Sequence, residues 1–106
     1  MSYCIVNCTA KNKKEAINIA KHLVQEKLIA CCNIIPSVIS IYEWKNDLQK
    51  DEEVLMVMKT ETELYNRLEE RIKKLHSYEV PEIICIPIIN GSSKYLEWID
   101  EQTLNF

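Results

Sequence analysis

The segment HSYEVPEIICIPI, residues 76–88, contains the residue types of a reactive or metal-binding site. It holds a histidine, a tyrosine and two glutamates, with Pro81 between the glutamates and an apolar run after them. Imidazole and carboxylate groups bind metals and transfer protons. Pro81 also prevents a helix from continuing, and the apolar run is typical of a buried strand. The segment is therefore first a helix end followed by a strand, and any chemistry is added to that role.

The cysteine and glycine usage argues against several kinds of active site. The chain has five cysteines and no C-x-x-C motif, so neither a zinc ribbon nor a thioredoxin-type motif is supported. We expect most of them to be reduced, buried thiols. A cysteine–histidine nucleophile lacks a recognisable oxyanion loop or family signature. Gly91 is the only glycine, which excludes a glycine-rich phosphate loop. The sequence does not predict an enzyme.

Size and charge restrict the class of protein. The chain has 106 residues, 47% of them hydrophobic, which predicts one globular domain over residues 1–106. The net charge is −3, with basic residues interspersed among acidic ones, so we expect no nucleic-acid partner. The apolar runs are shorter than the roughly 20 residues of a membrane span. The first residues, MSYCIVNCTA, do not form a signal peptide. We expect a cytoplasmic protein without a membrane span.

The first half of the chain shows the pattern of a strand, a helix and a hairpin. Residues 3–8 form an apolar-rich strand, and Asn12 followed by Glu15 is typical of a helix N-terminus. Apolar residues at helical spacing predict an amphipathic helix over residues 13–27. A long β-rich stretch then covers residues 28–44. Pro36 interrupts this stretch, which indicates a bend, a bulge or an edge position.

The second half repeats this outline. A turn at residues 45–47 leads to a returning strand over 53–59. Thr60 with Glu63 indicates a second helix start, and the following apolar residues recur at helical spacing: Leu64, Leu68, Ile72 and Leu75. A fourth strand covers 83–89, and a short terminal helix follows, in which we expect Trp98 to be the anchor. The order β-α-β-β-α-β plus a C-terminal helix predicts an α+β, ferredoxin-like split βαβ fold.

The strands are apolar on both faces. An antiparallel sheet with helices on one face usually alternates apolar and polar residues. Here VLMVM and IICIPII, starting at Val54 and Ile83, are apolar at successive positions. Such runs predict strands that are covered on both sides. A single terminal helix is too small for this, so we expect other copies of the chain to cover the second face, as a homo-oligomer.

Four segments resemble the CutA divalent-cation tolerance family. They are NCTA at 7–10, LIACCNIIPSVISIYEW at 28–44, LHSYEVPEIICIPI at 75–88 and YLEWI at 95–99. They lie in the family's order and span nearly the whole chain. The resemblance implies a ferredoxin-like protomer in a tight homotrimer, similar in architecture to the P-II nitrogen-regulatory trimers. It also implies a role in tolerance to copper and other divalent metals, with no established catalytic reaction.

The resemblance also implies a copper ligand set. Carried over by position, the ligands are Cys8, His76 and Glu82. Thiolate suits Cu(I), imidazole suits Cu(II) and Zn(II), and Cu(II) leads the affinity series for mixed ligands. Structural alternatives remain for each residue. Cys8 is also typical of a buried thiol, His76 of a cation at the end of a helix, and Glu82 of a hydrogen-bond acceptor.

This chain departs from the family pattern at three positions. Ser37 and Asn46 stand where the family often has glycine, and Ser77 stands where it often has proline. Asparagine tolerates positive φ better than most residues, so we expect the hairpin to form. Ser37 predicts a bend after Pro36 with ordinary backbone angles. None of the three departures removes a candidate ligand.

Two functions follow from these observations. The first is a cytoplasmic homotrimer that binds copper or a similar divalent cation and takes part in metal tolerance. The second is a P-II-like trimer that binds a small ligand or a partner protein at clefts between subunits. Met56 and Met58 could be soft copper ligands on one strand face, but a role in filling the core is favoured.

Overall fold

A computed structural model describes residues 2–104 of the chain. Its elements are β1 (Tyr3–Ala10), α1 (Lys13–Gln25), β2 (Cys31–Trp44), β3 (Asp47–Glu61), a 3-10 turn (Thr62–Leu64), α2 (Tyr65–Leu75), β4 (Ile83–Pro87) and α3 (Ser93–Gln102). The four strands form one antiparallel sheet in the order β2-β3-β1-β4. This arrangement confirms the predicted α+β, ferredoxin-like split βαβ fold.

Helix α1 begins as the sequence predicts. Asn12 Oδ1 accepts a hydrogen bond of 2.8 Å from the backbone N–H of Glu15. The helix ends at Gln25, two residues earlier than predicted, because the chain turns there. Lys27 has φ 60°, and the N–H of Leu28 donates to the carbonyl of Leu23 at 3.0 Å. This is a Schellman ending, with lysine at the position that usually holds glycine.

Strands β2 and β3 form a long hairpin. The register pairs Trp44 with Asp47, so the two-residue loop is Lys45-Asn46, with φ 51° and 68°. Positive φ at both loop residues is typical of the type I′ turn, and the expectation that Asn46 allows the hairpin is confirmed. β3 starts at Asp47 rather than at residue 53 and ends at Glu61 rather than at residue 59. We refer to residues 38–53 as the hairpin arm.

A bulge lies at the base of the hairpin arm. The register of β2 against β3 shifts between Ile35 and Val38, at Pro36 and Ser37. Ser37 has φ 62°, so the prediction of ordinary backbone angles at this bend is wrong. A serine here bears the cost of a left-handed conformation that glycine avoids. Because the bulge adds twist, it turns the hairpin arm relative to the rest of the sheet.

The predicted capping pair before the second helix is wrong. Thr60 is a fully buried residue of β3, and its Oγ1 donates to the carbonyl of Leu28 at 2.7 Å. The chain then makes the 3-10 turn before α2, and neither start carries a side-chain cap. The predicted apolar stripe is confirmed, because Leu68 and Ile72 are fully buried. Each such side chain contributes roughly 1.5–3 kcal/mol of burial free energy.

The core lies between the sheet and the helices α1 and α2. Sulfur-containing residues of the sheet contribute much of it, namely Cys4, Cys8, Met56 and Met58, all of which are fully buried. The prediction that the two methionines fill the core is therefore confirmed. In the described part of the chain all five cysteines are free thiols. β4 ends at Pro87, two residues earlier than predicted.

Helix α3 packs on β3, on the opposite face of the sheet at one end. Tyr3 of β1 pairs with Glu61 of β3. The next pair, Cys4 with Thr60, is buried under α1 and α2, so Tyr3 and Glu61 point to the opposite face. Thr103 Oγ1 donates to Glu61 Oε2 at 2.7 Å, and Ile99 is fully buried. Trp98 is 38% exposed, so the prediction that it anchors the helix is wrong. Ile99 and Thr103 hold α3 instead, because they face the sheet.

The Glu61 carboxyl lies beside Asp100 of α3. Burial, together with the neighbouring Asp100 carboxyl, raises the pKa of Glu61, although the hydrogen bond from Thr103 acts in the opposite direction. The folded protein therefore holds this proton more tightly than the unfolded chain. The corresponding stability is fully present below the unfolded pKa, about 4.3, and is lost as the pH rises through the folded pKa.

Glu61→Gln is expected to raise the free energy of unfolding near neutral pH, with a gain that shrinks as the pH falls towards about 4. The amide keeps an acceptor for Thr103 and removes the buried charge. Urea unfolding at both pH values, at one protein concentration, measures the difference. Glu101→Gln, an exposed change on α3, is the control. A loss of stability at neutral pH, or a gain independent of pH, would contradict this account.

Candidate metal site and the adjoining cleft

Cys8 lies on β1 with its side chain in the core. It is fully buried, and its Sγ donates to the carbonyl of Thr9 at 3.6 Å. Burial, followed by the negative charge of Glu82, raises the pKa of the Cys8 thiol to about 12. The side chain is therefore a protonated thiol at neutral pH. A metal could bind Sγ only after displacing this proton.

His76 follows the last residue of α2 and holds the end of that helix against β1. Its ring is 8% exposed. Nε2 lies 2.7 Å from the carbonyl oxygen of Thr9, and Nδ1 accepts the backbone N–H of Tyr78 at 3.0 Å. Since a carbonyl only accepts, Nε2 carries the proton and the ring is the neutral tautomer. Both nitrogens are therefore occupied. The alternative interpretation, a cation that caps α2, does not fit these contacts.

Glu82 is exposed and directly precedes β4. Cys8 pairs with Ile83 in the sheet, so the register brings Glu82 next to the position of Cys8. Cys8 and His76 converge more closely, because both donate to the carbonyl oxygen of Thr9. Even so, no three His, Cys, Asp or Glu side chains in residues 2–104 are arranged to hold a metal ion. In these contacts Sγ and Nε2 both carry protons, which a metal would have to displace in order to bind.

Glu15 fixes the loop after His76. Its carboxylate accepts the backbone N–H of Ser77 at 3.0 Å and that of Lys11 at 3.2 Å. Burial opposes ionisation here, but the hydrogen bonds from Ser77 and Lys11 outweigh it and lower the pKa of Glu15. A proline at position 77 would have no N–H for this bond. The departure from the family pattern at this position therefore adds a contact between α1 and the loop.

A cleft of about 660 Å³ lies between the hairpin arm and the loop that leads to β4. It is lined by Thr9, Ser40, Ile41, Tyr42, Trp44, Asp51, Glu53, Tyr78, Glu79, Val80 and Glu82. Of the three predicted metal ligands, only Glu82 lines this cleft.

One hydrogen bond joins the two walls of the cleft: Tyr78 Oη donates to Glu53 Oε2 at 2.8 Å. Within the hairpin arm, Tyr42 Oη donates to Asp51. Burial, followed by the hydrogen bond to Glu53, raises the pKa of Tyr78. Both tyrosines are thus neutral donors at physiological pH. The Tyr78–Glu53 bond holds the loop to the base of the hairpin arm.

The sequence analysis missed Glu53, Asp51 and Tyr42 as cleft residues. A signal was present in the alternation of β3, where Asp51 and Glu53 are two positions apart and so share a strand face. The register pairs Asp51 with Ser40 and Glu53 with Val38, which places Tyr42 on the same face. The signal was missed because the predicted β3 began at residue 53, whereas the strand begins at Asp47. Asp51 therefore lay outside the predicted strand.

The sheet face opposite α1 and α2 is apolar and largely uncovered. Ile35, Ile84 and Ile86 lie on it with 42–49% of their surface exposed. Asn7 lies on the same face, opposite Val57 and Ile84 in the register. Its Oδ1 is buried, yet it has no hydrogen-bond partner in the described chain. A buried acceptor without a donor is unfavourable, so the face is incomplete in a single chain.

None of the helices in residues 2–104 has the combination of length and apolar composition that a membrane span requires.

The fold and these surfaces define a small ferredoxin-like protein with a largely uncovered apolar sheet face and an acidic, aromatic cleft. The chain belongs to the CutA1 divalent ion tolerance protein family, whose sequence profile matches residues 4–102. The predicted family resemblance is thereby confirmed.

Individual relatives agree with this assignment. The divalent-cation tolerance protein CutA of Thermus thermophilus is 44% identical over 99 residues, or 93% of this chain and 96% of that protein. The chloroplastic CutA of Arabidopsis thaliana is 44% identical over 101 residues, covering 95% of this chain and 56% of that protein. The chain thus spans about half the length of the plant relative. The crystal structure of CutA1 from Oryza sativa has a TM-score of 0.97 and 39% identity, and the match covers 100% of this chain and 97% of that one.

Proposed function

We propose that the protein is a single-domain homotrimer that takes part in divalent-ion tolerance. Membership of the CutA1 family and the name of the Thermus relative support the tolerance role. The uncovered apolar sheet face carries the proposal of self-association. The number three comes from the family resemblance.

The open sheet face supports assembly on physical grounds. An apolar surface of this kind in a stable protein is typical of a subunit interface. The buried Oδ1 of Asn7 lacks a donor within residues 2–104, and a donor from a neighbouring subunit would satisfy it. Tyr42 and Trp44 continue this face along the hairpin arm, whereas Ile39 and Ile41 are exposed on the other side of the arm.

Copper binding by Cys8, His76 and Glu82 stays a prediction. The contacts of the single chain would weaken copper binding, because the protons on Sγ and Nε2 and their hydrogen bonds to the Thr9 carbonyl would have to be lost first. Metal affinity at these residues would therefore rise with pH. Copper is the first metal to test, since the ligand types suit it.

Calorimetry with Cu(II) tests this ligand set. If the set is correct, His76→Gln and Glu82→Gln are each expected to weaken binding at least about tenfold. His22→Gln is the matched control, because the His22 ring bonds to the carbonyl of Asn18 in its own helix, at 2.9 Å. Thermal unfolding of the same samples separates lost ligation from lost stability. Equal affinity in the wild type and both site variants would remove these residues as ligands.

A second function is favoured by the cleft. A P-II-like trimer would bind a small ligand or a partner protein there. The volume of about 660 Å³ is within the usual range of small-molecule sites. A thermal-shift screen of metabolites against metal salts separates the two functions, because only a ligand that prefers the folded protein raises its melting temperature.

The remaining parts of the proposal concern compartment and chemistry. We propose a cytoplasmic location, although the Arabidopsis relative is named as chloroplastic, so the compartment differs among relatives. The Thermus relative is named for tolerance rather than for a catalysed reaction. A non-catalytic role stays a prediction.

A further inference from the structure

Two cysteine side chains lie together on the sheet face that α1 and α2 cover, away from the open sheet face. In the register of β1 against β4, Cys85 pairs with Val6, two positions after Cys4. Cys4 and Cys85 are therefore diagonal neighbours. Ile84 and Ile86 are exposed on the open sheet face, so Cys85 between them points to the helix side. Cys4 is fully buried, whereas Cys85 is partly exposed on an edge strand.

The two thiols interact directly. Burial, followed by a hydrogen bond with the Cys85 thiol, raises the pKa of the Cys4 thiol to about 12. The Thr62 side chain acts in the opposite direction, because its hydrogen bond to Cys4 favours the thiolate. Both cysteines are free thiols and pack against the core. The pair therefore presents two sulfur atoms side by side, with a hydroxyl that can support a negative charge on one of them.

The spacing of the pair disfavours a disulfide. Diagonal neighbours in an antiparallel sheet have Cα atoms about 7–8 Å apart, whereas a disulfide usually requires about 4.4–6.8 Å. A bridging metal ion removes this mismatch. With a metal–sulfur bond of about 2.3 Å, as in zinc sites, two sulfur atoms on opposite sides of an ion are about 4.6 Å apart. The sulfur atoms of a disulfide are only about 2.05 Å apart. The pair thus fits a bridging ion better than a covalent bond.

The number of ligands determines the kind of ion. Within residues 2–104 no three His, Cys, Asp or Glu side chains are arranged to hold a metal ion. Zinc takes four ligands and calcium about six or more, so two thiols satisfy neither. Monovalent copper is soft, prefers thiolate ligands, and is stable between two of them in a linear arrangement. We propose that Cys4 and Cys85 form a two-thiolate site for Cu(I).

Binding at this site exchanges protons for the ion without a change of oxidation state. Cu(I) enters at Cys85, the partly exposed partner, and then reaches Cys4. Each sulfur loses one proton to water and forms one bond to copper, so the filled site carries one negative charge. The Thr62 hydroxyl supports that charge at Cys4. Because protons are displaced, the affinity for Cu(I) is expected to rise with pH. The site shares no residue with the ligand set predicted for Cu(II), and a single chain completes it.

Anaerobic titration of the full chain with Cu(I), in competition with a chromogenic Cu(I) chelator, measures the affinity. Cys85→Ser and Cys4→Ala are each expected to weaken binding at least about tenfold, since a lost ligand costs no less than a lost outer-shell partner. Cys32→Ser is the matched control and should bind as the wild type does. Cys32 is also a partly buried free thiol, but it lies on the other edge strand. Thermal unfolding confirms that each variant is folded.

Three results would overturn the proposal. The first is the absence of saturable Cu(I) binding, and the second is equal affinity in the wild type and in both site variants. The third is an X-ray absorption spectrum in which the bound copper has nitrogen or oxygen neighbours instead of two sulfur atoms.

The variant His76→Gln separates this site from the ligand set predicted for Cu(II). It is expected to keep the Cu(I) affinity of the wild type, whatever its effect on Cu(II). If Cu(I) binding is lost in His76→Gln and kept in Cys85→Ser, copper occupies the other ligand set and the thiol pair is not a copper site.

Discussion

Ile84→Glu is expected to dissociate the proposed trimer. Ile84 is 49% exposed on the open sheet face and lies opposite Asn7 in the register. A glutamate there would meet little obstacle in a single chain, but in the assembly it would be buried without a partner. An uncompensated buried charge costs about 3–5 kcal/mol, which weakens subunit association roughly a hundredfold or more. Sedimentation velocity at about micromolar protein, with circular dichroism to confirm folding, measures the change.

Ile17→Glu is the matched control for this experiment. Ile17 is an isoleucine of similar exposure, 41%, but it lies on α1 in the helix layer. The same substitution there adds the same charge without touching the open face. We expect it to leave the sedimentation coefficient unchanged. Wild-type protein that sediments as a folded single chain, or two variants that sediment alike, would refute the assembly proposed for this face.

The sequence predicted the fold because its strongest signals are local. The Asn12 cap and the apolar spacing of α1 act within one or two turns, and both are present in the structure. The same holds for Leu68 and Ile72 on α2. Hydrophobic periodicity reports which side of an element is buried, and it needs no knowledge of distant residues. Element order followed from these signals, and the order defined the fold.

Errors arose where a distant contact determined a local choice. Thr60 and Glu63 match a capping pattern, yet Thr60 continues β3 because its hydroxyl bonds to Leu28, 32 residues earlier in the chain. Ser37 adopts positive φ because the hairpin needs a bulge at that point, whatever the preference of serine. In both cases tertiary packing outweighs local propensity.

The candidate site was predictable only as a set of residues. The sequence placed His76 at the end of a helix, which the structure confirms, but the partners of its ring are Thr9, 67 residues away, and Tyr78. Those partners determine which nitrogen carries the proton. They also show that the His76 ring is not a free ligand in the single chain but joins the end of α2 to β1 by a hydrogen bond. The cleft depended even more on tertiary structure, since the hairpin arm and the loop form its walls.

Met58→Ala is expected to lower the free energy of unfolding by roughly 2–5 kcal/mol, and Met58→Leu by less than about 1.5 kcal/mol. Met58 is fully buried and pairs with Val6 on one side and Cys32 on the other. Alanine would leave a cavity in the middle of the sheet, beneath both helices. Leucine nearly conserves the volume, so only the shape of the contact changes. Urea unfolding at one protein concentration compares the three proteins.

The leucine variant also separates the two interpretations of this methionine. A thioether ligand for copper is lost when leucine replaces methionine, whereas a core side chain is nearly preserved. Because Met58 is enclosed by apolar neighbours, we expect copper affinity in calorimetry to equal that of the wild type. Loss of copper binding with unchanged stability in Met58→Leu would instead make the thioether a ligand. Such a result would place the metal inside the core layer, between β1 and β2, rather than beside the Thr9 carbonyl.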